Sequence, residues 1–175
     1  VAMLSEGLTA DPSLCYHRSM EVGYMIIYKT GNMFDSDANY FVDPVNLMGT
    51  SGKGLALEVK RRYPQSERIY QAVCKSGEFD IGDILQVPTD DNKFILFFPT
   101  KKHWKDPSEY LYVERGLDSL KYHCQDIPKN SIVAVPQLGC GLGGLKWDKV
   151  HDLIRQNLND VHDVTFYVYG PNVSK

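Results

Sequence analysis

The chain has 175 residues, 43% hydrophobic and 23% charged, close to the proportions of ordinary globular domains, which excludes a disordered or fibrous chain. That length suits one domain with a sizeable core. A formal net charge of -3 and a pI near 5.9 exclude a protein that coats duplex nucleic acid by bulk electrostatics, leaving room for a local basic patch.

Residues 1–23 begin with Val and show no clear hydrophobic period, so they are expected to be an N-terminal extension, disordered or foreign to the fold, and residues 24–175 the domain. From Tyr24 onward, short apolar runs alternate with amphipathic stretches, which predicts a layered α/β sandwich. Strands are predicted at Tyr24 to Lys29, Tyr40 to Val45, Asp83 to Pro88, Lys93 to Pro99, Ser131 to Pro136 and Val164 to Gly170, each rich in β-branched or aromatic residues. The turn "TDDN" makes the third and fourth an antiparallel hairpin, so the sheet should be mixed. Helical periodicity follows Gly54 and recurs from Gln65 to Lys75. In "EYLYVERGLDSLKYHC", Val113, Leu117, Leu120 and Cys124 fall at spacings of four, three and four and build one apolar face. Trp147, Val150, Ile154 and Leu158 do the same in "KWDKVHDLIRQNLND".

Cys15, Cys74, Cys124 and Cys140 form no C-x-x-C pair and have no His partners at zinc spacing, so free thiols and no metal are expected. No apolar run approaches the roughly 20 residues that cross a bilayer, which makes the cytoplasm the default compartment. Nothing points to an oligomer; a monomer is the expectation.

Ligands of open α/β sheets sit beyond the carboxyl ends of strands, and three loops there stand out. "NLMGTSGKGLALEVK", Asn46 to Lys60, runs from a strand through three glycines into a helix, whose N–H groups and dipole suit an anion. It does not fit the Walker pattern, which would need glycine at Leu47 and a hydroxyl at Gly54. Taken alone, it is more readily a glycine turn. "PQLGCGLGG", Pro136 to Gly144, is a second such loop, and two in one small domain favour a diphosphate between them. Cys140 has no base beside it in sequence and reads better as a small packed side chain than as a nucleophile. The third, "FFPTKKHWKDP", Phe97 to Pro107, gathers Lys101, Lys102, His103, Trp104 and Lys105. A solvated basic loop is the usual explanation, but a Trp among such charges also suits stacking on single-stranded nucleic acid. Lys102 beside Lys101 would favour a neutral, nucleophilic Lys101 amine.

With "TGNMF", "YFVDPVNLMGTSGKGLALEVKRRYP", "TKKHW" and "GCGLGGLKW" in this order and spacing, the chain resembles the macrodomains over about Tyr24 to Pro171. It is most similar to the branch holding the DNA ADP-ribosyl glycohydrolase antitoxins and the terminal ADP-ribose glycohydrolase. The resemblance implies a three-layer α/β/α sandwich on a mixed, mostly parallel sheet, with ADP-ribose as ligand and no cofactor. It implies that Asn32, with Met33 beside it, receives the adenine through an Asn carbonyl. Gly49, Ser51, Gly52, Lys53 and Gly54 would lie against the distal ribose and diphosphate, with Thr100 nearby. Gly139, Cys140, Gly141, Leu142 and Gly143 would close over the phosphates, and Tyr169 would pack on the adenosine or simply in the core.

The resemblance also casts Asn46 as the residue that orients the distal ribose and Lys101 as the amine that attacks its anomeric carbon or stabilises the ring-opened sugar. Gly143 replaces the Asp of the terminal glycohydrolase, which leaves no assigned general base. Asp43 and Pro44 stand where the branch reads Asn-Thr, and Asp43 is open to either an acid-base role or a turn cap. The implied activity is removal of ADP-ribose from a nucleobase in single-stranded DNA, with Lys102, His103 and Trp104 as DNA contacts and an ADP-ribosyltransferase toxin as partner. ADP-ribosylated protein is the other substrate class. A reader that binds without turnover and a phosphatase of ADP-ribose 1″-phosphate are the rival readings.

Overall fold

The computed structural model describes residues 15–18 and 25–171. Seven strands form one sheet: β1 (Cys15–Arg18), β2 (Met25–Lys29), β3 (Tyr40–Asn46), β4 (Leu85–Pro88), β5 (Phe94–Lys101), β6 (Ser131–Val135) and β7 (Val164–Tyr169). Their order is β1-β2-β7-β6-β3-β5-β4. The five central strands run parallel, and β1 and β4 pair antiparallel at the two edges. The hairpin expected across "TDDN" is thus present as β4 and β5, with Asn92 in the left-handed region at φ 64.

Four helices cover the faces: α1 (Gly54–Arg62), α2 (Pro64–Ser76), α3 (Tyr110–His123) and α4 (Trp147–Leu158). Period-2 alternation in the strands sends residues to two separate cores. Val42, Leu96, Phe98, Val133 and Phe166 pack with Val113, Leu117, Leu120, Val150 and Ile154 beneath α3 and α4. Phe41, Ile95, Phe97 and Ala134 pack with Val59, Tyr63 and Tyr70 beneath α1 and α2. The layers are therefore α/β/α, as expected. Among the described residues no helix is long and apolar enough to cross a membrane.

Cys15–Arg18 fall within the segment set aside as an extension, yet they pair with Met25–Tyr28 as an edge strand. A sheet edge offers unpaired N–H and C=O groups that recruit even a four-residue strand lacking an alternating pattern. The other residues of that segment, Tyr24 and the last four residues lie outside those described.

Gly116 on α3 lets the helix lie directly on β5, for a Cβ there would overlap the ring of Phe98, which is fully buried. Gly116→Ala is expected to destabilise the protein by about 2 kcal/mol despite the better helix propensity of alanine, because the ring has no space to retreat into. A urea titration of both proteins measures this, and an unchanged midpoint would show that α3 rides freely over the sheet.

Candidate functional site

The strands part where their carboxyl ends meet the loops. Pairing of β3 with β6 stops at Tyr40 and Phe41, whereas its pairing with β5 continues to Asn46 and Lys101. Pro44, which lacks the N–H of a normal strand residue, stands beyond the last β6 pairing and faces the gap. The gap widens into a cleft of about 1200 Å³.

The first wall is the start of α1. Lys53 precedes the helix without any side-chain cap, and Gly52, Lys53, Gly54, Leu55 and Ala56 all line the cleft. The first N–H groups of a helix have no intrahelical acceptor, so this wall presents donors at the positive end of a dipole. Gly54 holds φ 59 with open space where a side chain would project. That left-handed turn into the helix is why glycine stands there.

The opposite wall is the loop after β6, from which Gly139, Gly141, Leu142 and Gly143 line the cleft. Ser108 locks this loop from behind, its N–H donating to the Gly143 carbonyl at 3.0 Å. A Cβ on Gly143 would overlap both Ser108 Oγ and the Gly139 carbonyl oxygen. An Asp at this position therefore has no room without rebuilding the loop. The Ser108 hydroxyl is buried with no hydrogen-bond partner among the described residues, and α3 begins after Glu109 with no side-chain cap.

Lys101 ends β5 at the mouth. Its Nζ lies 3.4 Å from the Trp104 carbonyl oxygen and 3.3 Å from that of Leu142, joining the two loops that border the opening. Trp104 and Leu142 are 51% and 69% exposed, an apolar rim directly beside the amine. Lys105 Nζ sits 5.0 Å above the Trp104 ring, and His103 stacks on it at 5.6 Å. Lys102 is different: its Nζ lies 5.8 Å over the Tyr112 ring, and the residue does not line the cleft. It is thus Lys105 and Trp104, rather than Lys102 and His103, that reach the cleft from this loop.

Asn46 lines the cleft and ties the first loop together. Its Oδ1 accepts from the N–H groups of Met48 at 2.9 Å and Thr50 at 3.2 Å, and its Nδ2 donates to the Thr50 carbonyl at 2.9 Å. The buried Tyr70 hydroxyl donates to the Asn46 carbonyl at 2.6 Å. One amide N–H is left over for a ligand. Asn32, Met33, Thr100 and Tyr169 also line the cleft.

Gly49, Ser51 and Cys140 do not. Gly49 rests on Gln71 and Cys74 of α2, and Ser51 is buried. Cys140 packs against the core, where burial pushes its thiol up to about 11, far from a reactive thiolate.

Behind the first loop lies a buried acidic pair. Asp43 projects from β3 and Glu67 from α2, with exposures of 0% and 2%, and among the described residues none of their four carboxyl oxygens has a hydrogen-bond partner. Burial, reinforced by Glu67, holds the Asp43 pKa well above the usual carboxylate value. Burial also raises that of Glu67; Ser51 Oγ and Lys60 offset this only in part, and the hydroxyl closes no well-formed hydrogen bond. Asp43 is therefore neither a turn cap nor a group at the cleft.

Glu58, Gln137 and Ser108 line the cleft without having been singled out, and Lys105, read only as a member of the basic loop, joins them. Glu58 had a legible signal: it falls four residues after Gly54 and three after Leu55, on one face of α1.

The Macro domain family matches residues 42–154. The chain belongs to the macrodomain family. It is 40% identical over 151 residues to the DNA ADP-ribosyl glycohydrolase of Mycobacterium tuberculosis, covering 85% of this chain and 43% of that protein. A DNA ADP-ribosyl transferase-DNA ADP-ribosyl glycohydrolase fusion protein of Thermosipho africanus is 30% identical over 92% of this chain and 46% of its own length. Among solved structures, the macrodomain of M. tuberculosis DarG superposes with a TM-score of 0.82 at 39% identity, covering 86% of this chain and all of that one. The macrodomain described here thus spans less than half the length of these two curated relatives.

Proposed function

We propose that this macrodomain binds ADP-ribose in the cleft and removes it from a nucleobase in single-stranded DNA. The observation that carries the reading is the position of Lys101, an amine fixed at the cleft mouth between an exposed Trp and the glycine loop. The uncapped start of α1 and the cleft-lining amides of Gly139, Gly141, Leu142 and Gly143 suit the two charges of a diphosphate. The distal ribose then lies toward the mouth, within reach of the amine. Trp104 offers a stacking face to a base outside the cleft, with Lys105 available for a backbone phosphate.

In the reaction, the neutral Lys101 amine forms a bond to the anomeric carbon. The bond from that carbon to the base breaks with its electron pair on the base, and the amine gives up a proton to solvent. The lysine adduct opens its sugar ring to an imine, and water adds to that imine, which releases ADP-ribose and regenerates the amine. With Gly143 in place of a carboxylate, water and the departing base are left to carry the protons. A base stabilises the electron pair better than an alkyl amine does, which fits a DNA adduct over one on a lysine side chain. The relatives named for DNA ADP-ribosyl glycohydrolase activity support the same substrate, and the fusion protein supports an ADP-ribosyltransferase as partner.

The test is a side-by-side incubation with ADP-ribosylated oligonucleotide and ADP-ribosylated protein, following free ADP-ribose. Release from the oligonucleotide is expected, at a rate at least about tenfold above that from protein. Tight binding of ADP-ribose with release from neither substrate would make the domain a reader instead.

A further inference from the structure

The cleft wall beside Asn32 carries a carboxylate with an open oxygen. Glu58 Oε1 accepts from Asn32 Nδ2 at 2.9 Å and from Arg62 Nε at 3.1 Å. Asn32 Oδ1 accepts in turn from the Phe34 N–H at 2.9 Å and so caps the short 3-10 turn Met33–Asp35. Both polar ends of the Asn32 side chain are thereby tied to the protein itself. Glu58 Oε2 carries no hydrogen bond among the described residues, and Glu58 lines the cleft together with Asn32, Met33, Leu55 and Tyr169. Arg62 holds the carboxylate from its far side, with its guanidinium 4.8 Å from the Phe34 ring. Glu58 is in this way oriented from two directions, with one acceptor oxygen left to meet a donor.

We propose that Glu58, rather than Asn32, accepts the hydrogen bond from the exocyclic amino group of adenine and sets the preference for a 6-aminopurine. The inference rests on the reading of the cleft as an ADP-ribose site. The chemistry is an acceptor-only group facing a donor: an ionised carboxylate pairs with an amino group and repels a 6-oxo group at the same position. Asn32 acts as a positioning residue, since it fixes Oε1 and leaves Oε2 to the base. A carboxylate acceptor also discriminates more sharply than the Asn carbonyl that the family resemblance suggested, because its bond to the donor is charge-assisted.

The test compares calorimetric binding of ADP-ribose and inosine diphosphate ribose, which differ at the purine 6-position. The wild-type protein is expected to prefer ADP-ribose by about tenfold, the scale of one charge-assisted hydrogen bond at a partly exposed site. Glu58→Gln presents an N–H as readily as a carbonyl, so it should bind both nucleotides within about twofold of each other. Asn32→Ala should weaken both but keep a preference for adenine. A preference that survives Glu58→Gln, or one that disappears only in Asn32→Ala, overturns the assignment. Wild-type protein that binds both nucleotides alike also overturns it and leaves the ADP-ribose site standing, whereas binding of neither removes the reading on which it rests.

Discussion

Lys101→Ala is expected to slow the release of ADP-ribose from modified DNA by about 10²–10⁴-fold, the range lost when a positioned proton-transfer or nucleophilic group is removed. Affinity for free ADP-ribose should change only a few-fold, because the α1 start and the Gly139 to Gly143 loop supply the diphosphate contacts. Lys101→Arg separates two explanations. It keeps a cation and the reach to the Trp104 and Leu142 carbonyls but cannot present a neutral amine, so it should be as slow as alanine. Borohydride added during turnover should leave ADP-ribose attached to wild-type protein and to neither variant. Full activity in Lys101→Ala would end the covalent mechanism; activity restored by arginine would reduce the residue to an electrostatic role.

Asp43→Asn is expected to stabilise the protein at about pH 8 by roughly 2–4 kcal/mol, because the wild type must there either keep a proton against a rising pH or hold an unpaired charge away from water. The folded pKa of Asp43 stands well above the model-peptide value of 3.8, with burial as the main cause and Glu67 as the second. Such a shift contributes stability that is fully present below the unfolded pKa and is lost as pH rises toward the folded one. Wild-type stability should therefore decline from about pH 4 upward. The gap between wild type and Asp43→Asn should close again near pH 4, where both side chains are neutral. Glu67→Gln should act in the same direction, and the double variant should gain less than the sum, since each change also relieves the other carboxyl. Thermal melts across this range decide it: a variant that tracks the wild type at every pH would mean that the pair is solvated or paired in solution.

Much of this architecture was legible because periodicity reports burial. The strands at Tyr40 and Ser131 and the helices with Val113 and Val150 on their inner faces stand where runs of β-branched and aromatic residues and three-four spacing put them. The exceptions have physical causes. Glu67 lies in the first turn of α2, where a carboxylate ordinarily faces water and complements the helix dipole; no local rule tells of a sheet closing over it. Asp43 sits in a strand between apolar neighbours, and sequence alone leaves open whether such a polar group has a partner across space. At the cleft, the glycine loops and Lys101 were readable from residue type, whereas Glu58 resembled a surface member of an i,i+4 pair with Arg62. Its second contact, with Asn32, spans 26 positions and exists only once α1 has docked. Lys102 was singled out by its adjacency to Lys101; its side chain lies over Tyr112, outside the lining of the cleft.

The two carbonyls that hold the Lys101 amine bear on timing. A lysine fixed in place gives up as much as about 2 kcal/mol of rotamer freedom, and here part of that loss is met when the chain folds, before any substrate arrives. The contacts are long, so they are easily exchanged for contacts with an incoming sugar. Because one comes from each bank of the opening, a guest that engages the reactive nitrogen takes the place of the contact that ties the two banks together.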